Sequence, residues 1–172
     1  LHTSLMGDAQ HDVYAPTSPD VLIGKRYDYW ALGHIHAHRI VSEAPWIVYP
    51  GCAQARHIRE PGAKGCVLVS VDGGHCRLQF RELGVLRWQT AAVELSATDR
   101  RREMLDAVQT EFESCHQRAK GRLAAVRLCL TGRCEFHREI EKPQGRVEVI
   151  GEIRNLANQI DDLWLEKVEI DT

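Results

Sequence analysis

The sequence predicts an α+β protein, on three observations. Short strand-like runs bounded by turn signals fill the first 95 residues. Two stretches of helical period follow Ser96, each leading into another strand-like run. No apolar run reaches the roughly 18 residues that a membrane helix needs, and no basic start with a short apolar stretch marks a signal peptide. With 172 residues, 44% of them hydrophobic, the chain can bury one substantial core and a small satellite. Its formal net charge of −2 neither favours nor excludes nucleic acid, since a basic face can coexist with an acidic one.

Residues 1 to 16 read as a strand end and a loop, broken at Gly7-Asp8 and Ala15-Pro16. Ser18-Pro19-Asp20 opens a short helix to about Lys25, with serine as N-cap and proline in the first turn. Tyr27–Leu32 and Trp46–Tyr49 are strands, the second stopped by Pro50-Gly51. Lys64–Val71 and His75–Leu83 flank Asp72-Gly73-Gly74, a hairpin signal, and Leu86–Leu95 is one more strand. Ser96-Ala97-Thr98-Asp99 then resembles a capping box. Met104, Val108, Phe112 and Cys115 repeat at helical spacing beyond it, to about Ala119. Leu123–Thr131 is a strand, and Val147, Ile150, Ile153, Leu156, Ala157 and Ile160 mark a second helix. Leu163–Ile170 closes the chain. The change of character places a domain boundary near residue 95, giving segments 1–95 and 96–172.

The six cysteines include no CxxC pair, which argues against a zinc ribbon. Cys66 and Cys129 sit inside apolar runs and read as small buried hydrophobes, so free thiols and a cytoplasmic protein are expected. Trp88 and Trp164, in predicted strands, read as core residues. The chain starts at Leu1 without methionine, as a fragment or processed product would.

The residues most suggestive of chemistry are Gly33-His34-Ile35-His36, at the exit of the Tyr27–Leu32 strand. The glycine permits a tight turn, and two imidazoles one residue apart can converge on a cation. A pair of surface histidines is the plain alternative, given nine histidines in the chain. Trp30, Ala31 and Leu32 weaken it by anchoring the loop to a buried strand. His38 continues the series, although three ligands from one extended segment are uncommon.

Tyr27-Asp28-Tyr29-Trp30-Ala31-Leu32-Gly33-His34-Ile35-His36 resembles the final metal motif of calcineurin-like metallophosphoesterases. The resemblance is closest to the SbcD-type DNA repair exonucleases, and among them to a YhaO-like branch. Tyr49-Pro50-Gly51-Cys52 resembles the Tyr-Pro-Gly-Ser element that follows in the family. Glu60 with Lys64-Gly65 resembles the next landmark, Leu1-His2-Thr3 the strand-end histidine upstream, and Tyr14-Ala15-Pro16 also fits that branch. The similarity covers about residues 1 to 90, and beyond 95 it extends only to the layout of a capping domain. It implies the back half of a metallophosphoesterase β-sandwich with flanking helices, followed by a small α+β cap. It also implies that His2 and His34 bind one ion of a two-metal centre and His36 the other. The expected metal is Mn²⁺, with the ions about 3.5–4 Å apart for in-line attack on a phosphodiester. The family's Asp-x-His, Gly-Asp and Gly-Asn-His motifs do not occur in this chain. Gly7-Asp8 and His11-Asp12 match none of them and read as loop residues. The site is therefore incomplete here, and the chain alone is expected to be inactive.

By the same resemblance the whole enzyme is an Mn²⁺-dependent exo- or endonuclease of double-strand-break repair. Its expected partners are DNA and an SbcC-type coiled-coil ATPase, and the family often dimerises. Arg100-Arg101-Arg102 opens a helix, where positive charge opposes the dipole. A DNA-phosphate role for these three arginines is weighed against a solvated helix face. Arg56 and Arg59, after the Tyr-Pro-Gly turn, could receive phosphates or pair with Glu60. Two alternatives stand: a metallophosphoesterase acting on nucleotides or other phosphoesters, and a non-catalytic DNA- or ATPase-binding module that retains the histidines.

Overall fold

Ser18 opens the first helix, α1 (Pro19–Gly24), as predicted: its hydroxyl accepts from the Val21 N–H at 3.3 Å, and proline lies in the first turn. The computed structural model describes residues 1–5 and 14–172, so Gly7-Asp8 and His11-Asp12 lie outside the described residues. Three sheets follow, and the fold is α+β. The first has the order β1 (Tyr29–Ala31), β3 (Trp46–Tyr49), β2 (Arg39–Glu43). β1 runs parallel to β3 and β2 antiparallel to it. Apolar side chains fill β3 because it is the central strand, and Ile47, Val48 and Tyr49 are fully buried. The edge strand β2 is absent from the sequence reading. Its residues are half-buried or exposed, which leaves no clear period-2 pattern.

Strands β4 (Gly65–Asp72) and β5 (His75–Glu82) pair as the predicted hairpin. Gly73 and Gly74 have φ of +54° and +82°, the left-handed conformations that a tight primed turn demands. A two-stranded ribbon leaves much of its surface open. Cys66 is consequently exposed, which corrects the reading of it as a buried hydrophobe.

The C-terminal sheet is parallel throughout, in the order β6 (Leu86–Leu95), β7 (Leu123–Gly132), β8 (Leu163–Asp171). Helix α2 (Arg101–Ala119) links the first two strands, and α3 (His137–Ile140) with α4 (Pro143–Ala157) links the last two. Right-handed crossovers between consecutive neighbours put both long helices on one face. There Met104, Val108, Phe112 and Cys115 of α2 and Val149, Ile153 and Ala157 of α4 share a core with Ala91, Val93, Val126, Leu128 and Leu130. Each large side chain so buried contributes about 1.5–3 kcal/mol.

Three sequence expectations change within this sheet-and-helix layer. The helix N-cap is Arg100, and the reciprocal acid is Glu103, whose carboxylate accepts from the Arg100 N–H at 3.1 Å. Asp99 serves the preceding turn instead, accepting from Ser96 N–H (2.8 Å) and Ser96 Oγ (2.6 Å), bonds that hold its carboxyl below the usual range. On α4 the buried stripe is Gly145, Val149, Ile153, Ala157 at four-residue spacing, while Val147 projects outward, 66% exposed. Trp164 is not a core residue: it is half-exposed, and its ring meets Trp88 edge-on at 5.9 Å.

By contacts the chain forms two compact units, Leu1–Ala55 with Ala63–Gly84, and Arg56–Gly62 with Val85–Thr172. Although the sequence changes character near 95, β6 belongs to the second unit, because every one of its residues pairs with β7.

Candidate functional site

In the first unit, the segment Leu1–Thr3 lies alongside the exit of β1. Leu1 N–H donates to Ala31 O at 2.8 Å, Gly33 N–H to Leu1 O at 2.8 Å, and Thr3 N–H to Gly33 O at 3.3 Å. This ladder brings His2 beside His34, with ring centroids 5.3 Å apart at 76°. Tyr14 packs edge-on to His2 at 5.2 Å and stacks against His34 at 6.3 Å. Gly33 is required by this approach: a Cβ there would stand 2.9 Å from His2 Nδ1. His34 itself has φ of +107°, outside the region open to most side chains. Such a conformation costs on the order of 1–3 kcal/mol and persists only where surrounding contacts impose it.

Those contacts come from the other landmarks of the sequence. Ile35 is buried between the two histidines. Tyr49 is fully buried, and its hydroxyl donates to Thr3 O at 3.0 Å, fixing the strand that carries His2. Gly51, at φ +82°, lets the chain pass His36: a Cβ would meet His38 N at 2.9 Å and His36 O at 3.0 Å. Lys64 is 5% exposed, and its ammonium donates to His36 O at 3.0 Å. The Cys52 thiol points at the same carbonyl from 3.5 Å. A buried ammonium without such an acceptor would be costly, so this bond ties Lys64 to the histidine loop. At Gly65 a Cβ would fall 1.9 Å from Arg81 O, so glycine is the residue that lets β4 begin against β5.

The predicted positions therefore separate. His2 and His34 come together, and His36 follows two residues on, exposed at the surface. His38 is directed elsewhere and stacks on Phe80 at 4.5 Å. Sequence reading noticed Tyr49, Gly51 and Lys64 as landmarks. It missed that all three act on the backbone of the histidine segments, which only contacts across sequence separations of 13 to 46 residues reveal.

The five arginines lie in the second unit. Arg56 N–H donates to Glu60 at 2.9 Å, and its guanidinium stands 3.9 Å from the same carboxylate. Arg59 is exposed. Arg100 lies 3.3 Å from Glu135, and Arg102, 91% exposed, 3.9 Å from Asp106. Arg101 is different: it is only 28% exposed and bonds Glu139 (2.8 Å) and Glu152 (2.9 Å), tying the start of α2 to α3 and α4. These carboxylates account for a helix that starts on three positive charges, since they compensate what the dipole opposes.

The first unit thus brings His2 against His34 beside the His34-Ile35-His36 turn, and the second carries a parallel sheet with its helices. Residues 88–172 match the family described as metallophosphoesterase YhaO, middle domain. The chain is similar to an uncharacterized metallophosphoesterase of Bacillus subtilis (strain 168), YhaO: 40% identical over 133 residues, which cover 77% of this chain and 32% of that protein. Together these findings support a YhaO-like metallophosphoesterase. The chain spans about a third of the length of the curated relative it matches.

Proposed function

We propose that this chain is part of a metal-dependent phosphoesterase that hydrolyses phosphodiester bonds of DNA, with Mn²⁺ as the working metal. The observation that carries the reading is the His2–His34 pair, built on a backbone turn that Tyr49, Gly51 and Lys64 hold in a costly conformation. Imidazoles that share one ion at about 2.0–2.2 Å per nitrogen bring their centroids to roughly 5 Å, so the 5.3 Å spacing suits the pair. His2 and His34 would hold one ion and His36 the other. When bound, the ions lower the pKa of a coordinated water and neutralise charge on the phosphoryl oxygens. The chain's own part is to fix ring orientation, through Gly33, Tyr49 and Lys64, before substrate arrives.

DNA as substrate and an SbcC-type coiled-coil ATPase as partner are supported by the order of the motifs in residues 1 to 90. In this proposal Arg56, Arg59, Arg100 and Arg102 contact backbone phosphates, and Arg101 is a structural clamp.

The test uses the whole protein that carries this chain. Linear duplex DNA and a nucleotide phosphodiester are offered with Mn²⁺, to wild type and to His34→Ala/His36→Ala. The expected result is DNA cleavage by wild type and a loss in the variant exceeding the roughly 10–100-fold typical of outer-shell partners. The 172-residue chain alone should be inactive. Equal activity in the variant would refute the histidine assignment, and turnover of the nucleotide ester without DNA cleavage would move the substrate class.

A further inference from the structure

The histidine reading leaves unused a cavity of about 640 Å³ in the second unit. It is bordered by Arg133, Cys134, Glu135, His137, Arg138 and Thr172, immediately past the ends of β7 and β8. All three parallel strands deliver their carboxyl ends to this edge, the side of an open α/β sheet where ligands usually bind. The strand order has no reversal here, so the placement rests on the cavity itself and on its charge. Gly132, at φ +90°, directly precedes the lining residue Arg133: a Cβ on Gly132 would collide with Leu95 O, and the Arg133 N–H donates to that carbonyl at 3.2 Å.

The charge is unbalanced. Arg100, Arg101 and Arg102 each have a carboxylate partner, whereas neither Arg133 nor Arg138 has an ion-pair partner among the described residues. Glu135 on the rim is engaged by Arg100 at 3.3 Å. The His137 ring is held at the edge, with Nδ1 3.4 Å from Thr172 Oγ1 and Nε2 3.4 Å from Glu141. Two arginines that line one concavity, with no ion-pair partner among the described residues, make it a cationic recess. Guanidinium presents its N–H groups as a fork that matches the oxygens of a phosphate.

We propose that this recess binds the phosphate group of a small phosphorylated ligand, with Arg133 and Arg138 as the anion-holding residues. Its volume lies within the range of about 300–1,000 Å³ that accommodates mononucleotide-sized molecules. The inference is independent of the phosphoesterase reading, since it uses none of the three metal-site histidines.

Calorimetric titration of the whole protein that carries this chain tests it, with inorganic phosphate and adenosine 5′-monophosphate as probes and sodium chloride at matched ionic strength as reference. Wild type should bind saturably, and Arg133→Gln/Arg138→Gln should bind about ten-fold or more weakly with unchanged thermal unfolding. Tighter binding of the nucleotide would place sugar and base in the cavity, and equal binding would mean that phosphate alone is recognised. Both results support the site. Absence of saturable binding by either probe, or equal binding in the double variant, overturns it. If the double variant unfolds, Arg138→Gln alone, on an exposed residue of α3, carries the same comparison.

Discussion

Tyr49 shows how a single residue can serve a site through the backbone that carries it. Its hydroxyl reaches Thr3 O across 46 positions of sequence, next to His2, in a fully buried place. Tyr49→Phe keeps the ring and deletes the donor, leaving a buried carbonyl short of a partner. The expected cost is about 1–2 kcal/mol in urea unfolding. An unchanged midpoint would show that water or another donor replaces the hydroxyl. At this scale the sequence was informative where chemistry is local. Gly33, His34 and His36 announce themselves by spacing, and Ser18-Pro19 by capping. The sequence marked Lys64 as a landmark but not its role, because the carbonyl that fixes it lies 28 residues away.

Among the elements, the C-terminal sheet depends on an ion pair on the face opposite its helices. Arg127 of β7 bonds Glu166 of β8 twice, at 2.8 Å each, and reaches Glu169 at 3.4 Å. The Arg127 guanidinium holds the Glu166 carboxyl below its ordinary value of 4.5. A carboxyl whose folded pKa is depressed contributes stability that is fully present above the unfolded value and lost as pH falls through the folded one. Wild type should therefore lose stability on acidification below about pH 4.5. Glu166→Gln should show a shallower acid slope in thermal unfolding followed from pH 7 to pH 3. Parallel slopes would remove Glu166 from the acid response. The elements themselves were legible wherever one face is buried, as in β6, β7 and α2. The cap at Arg100 and the outward turn of Val147 were not: Asp99 is taken up by Ser96, leaving the cap to Arg100 and Glu103, and Val147 lies off the stripe that α4 buries.

Across the whole molecule, thiol chemistry reports the packing of both units at once. Cys66 is exposed on the β4–β5 ribbon, whereas Cys115 is fully buried in α2, where burial pushes its thiol up to about 11. At pH 8 iodoacetamide should label Cys66 first and Cys115 only after denaturation, as read by mass spectrometry. Early modification of Cys115 would contradict the packing of α2 on the parallel sheet. No helix among the described residues is long and apolar enough to cross a membrane.

By itself the sequence determined the α+β class, most strand and helix positions, the hairpin at Gly73-Gly74 and the candidacy of His34 and His36. Each of these follows from periodicity, turn chemistry or residue type within a short window. Only the tertiary structure decided that His2 lies against His34 while His38 turns to Phe80, and that β6 joins the second unit. It alone separated Arg101, paired with Glu139 and Glu152, from Arg133 and Arg138 at the strand ends, which have no ion-pair partner among the described residues. The physical reason is the same in each case: ring contacts, strand pairing and charge compensation are made between residues far apart in the chain, and no local pattern encodes their partners.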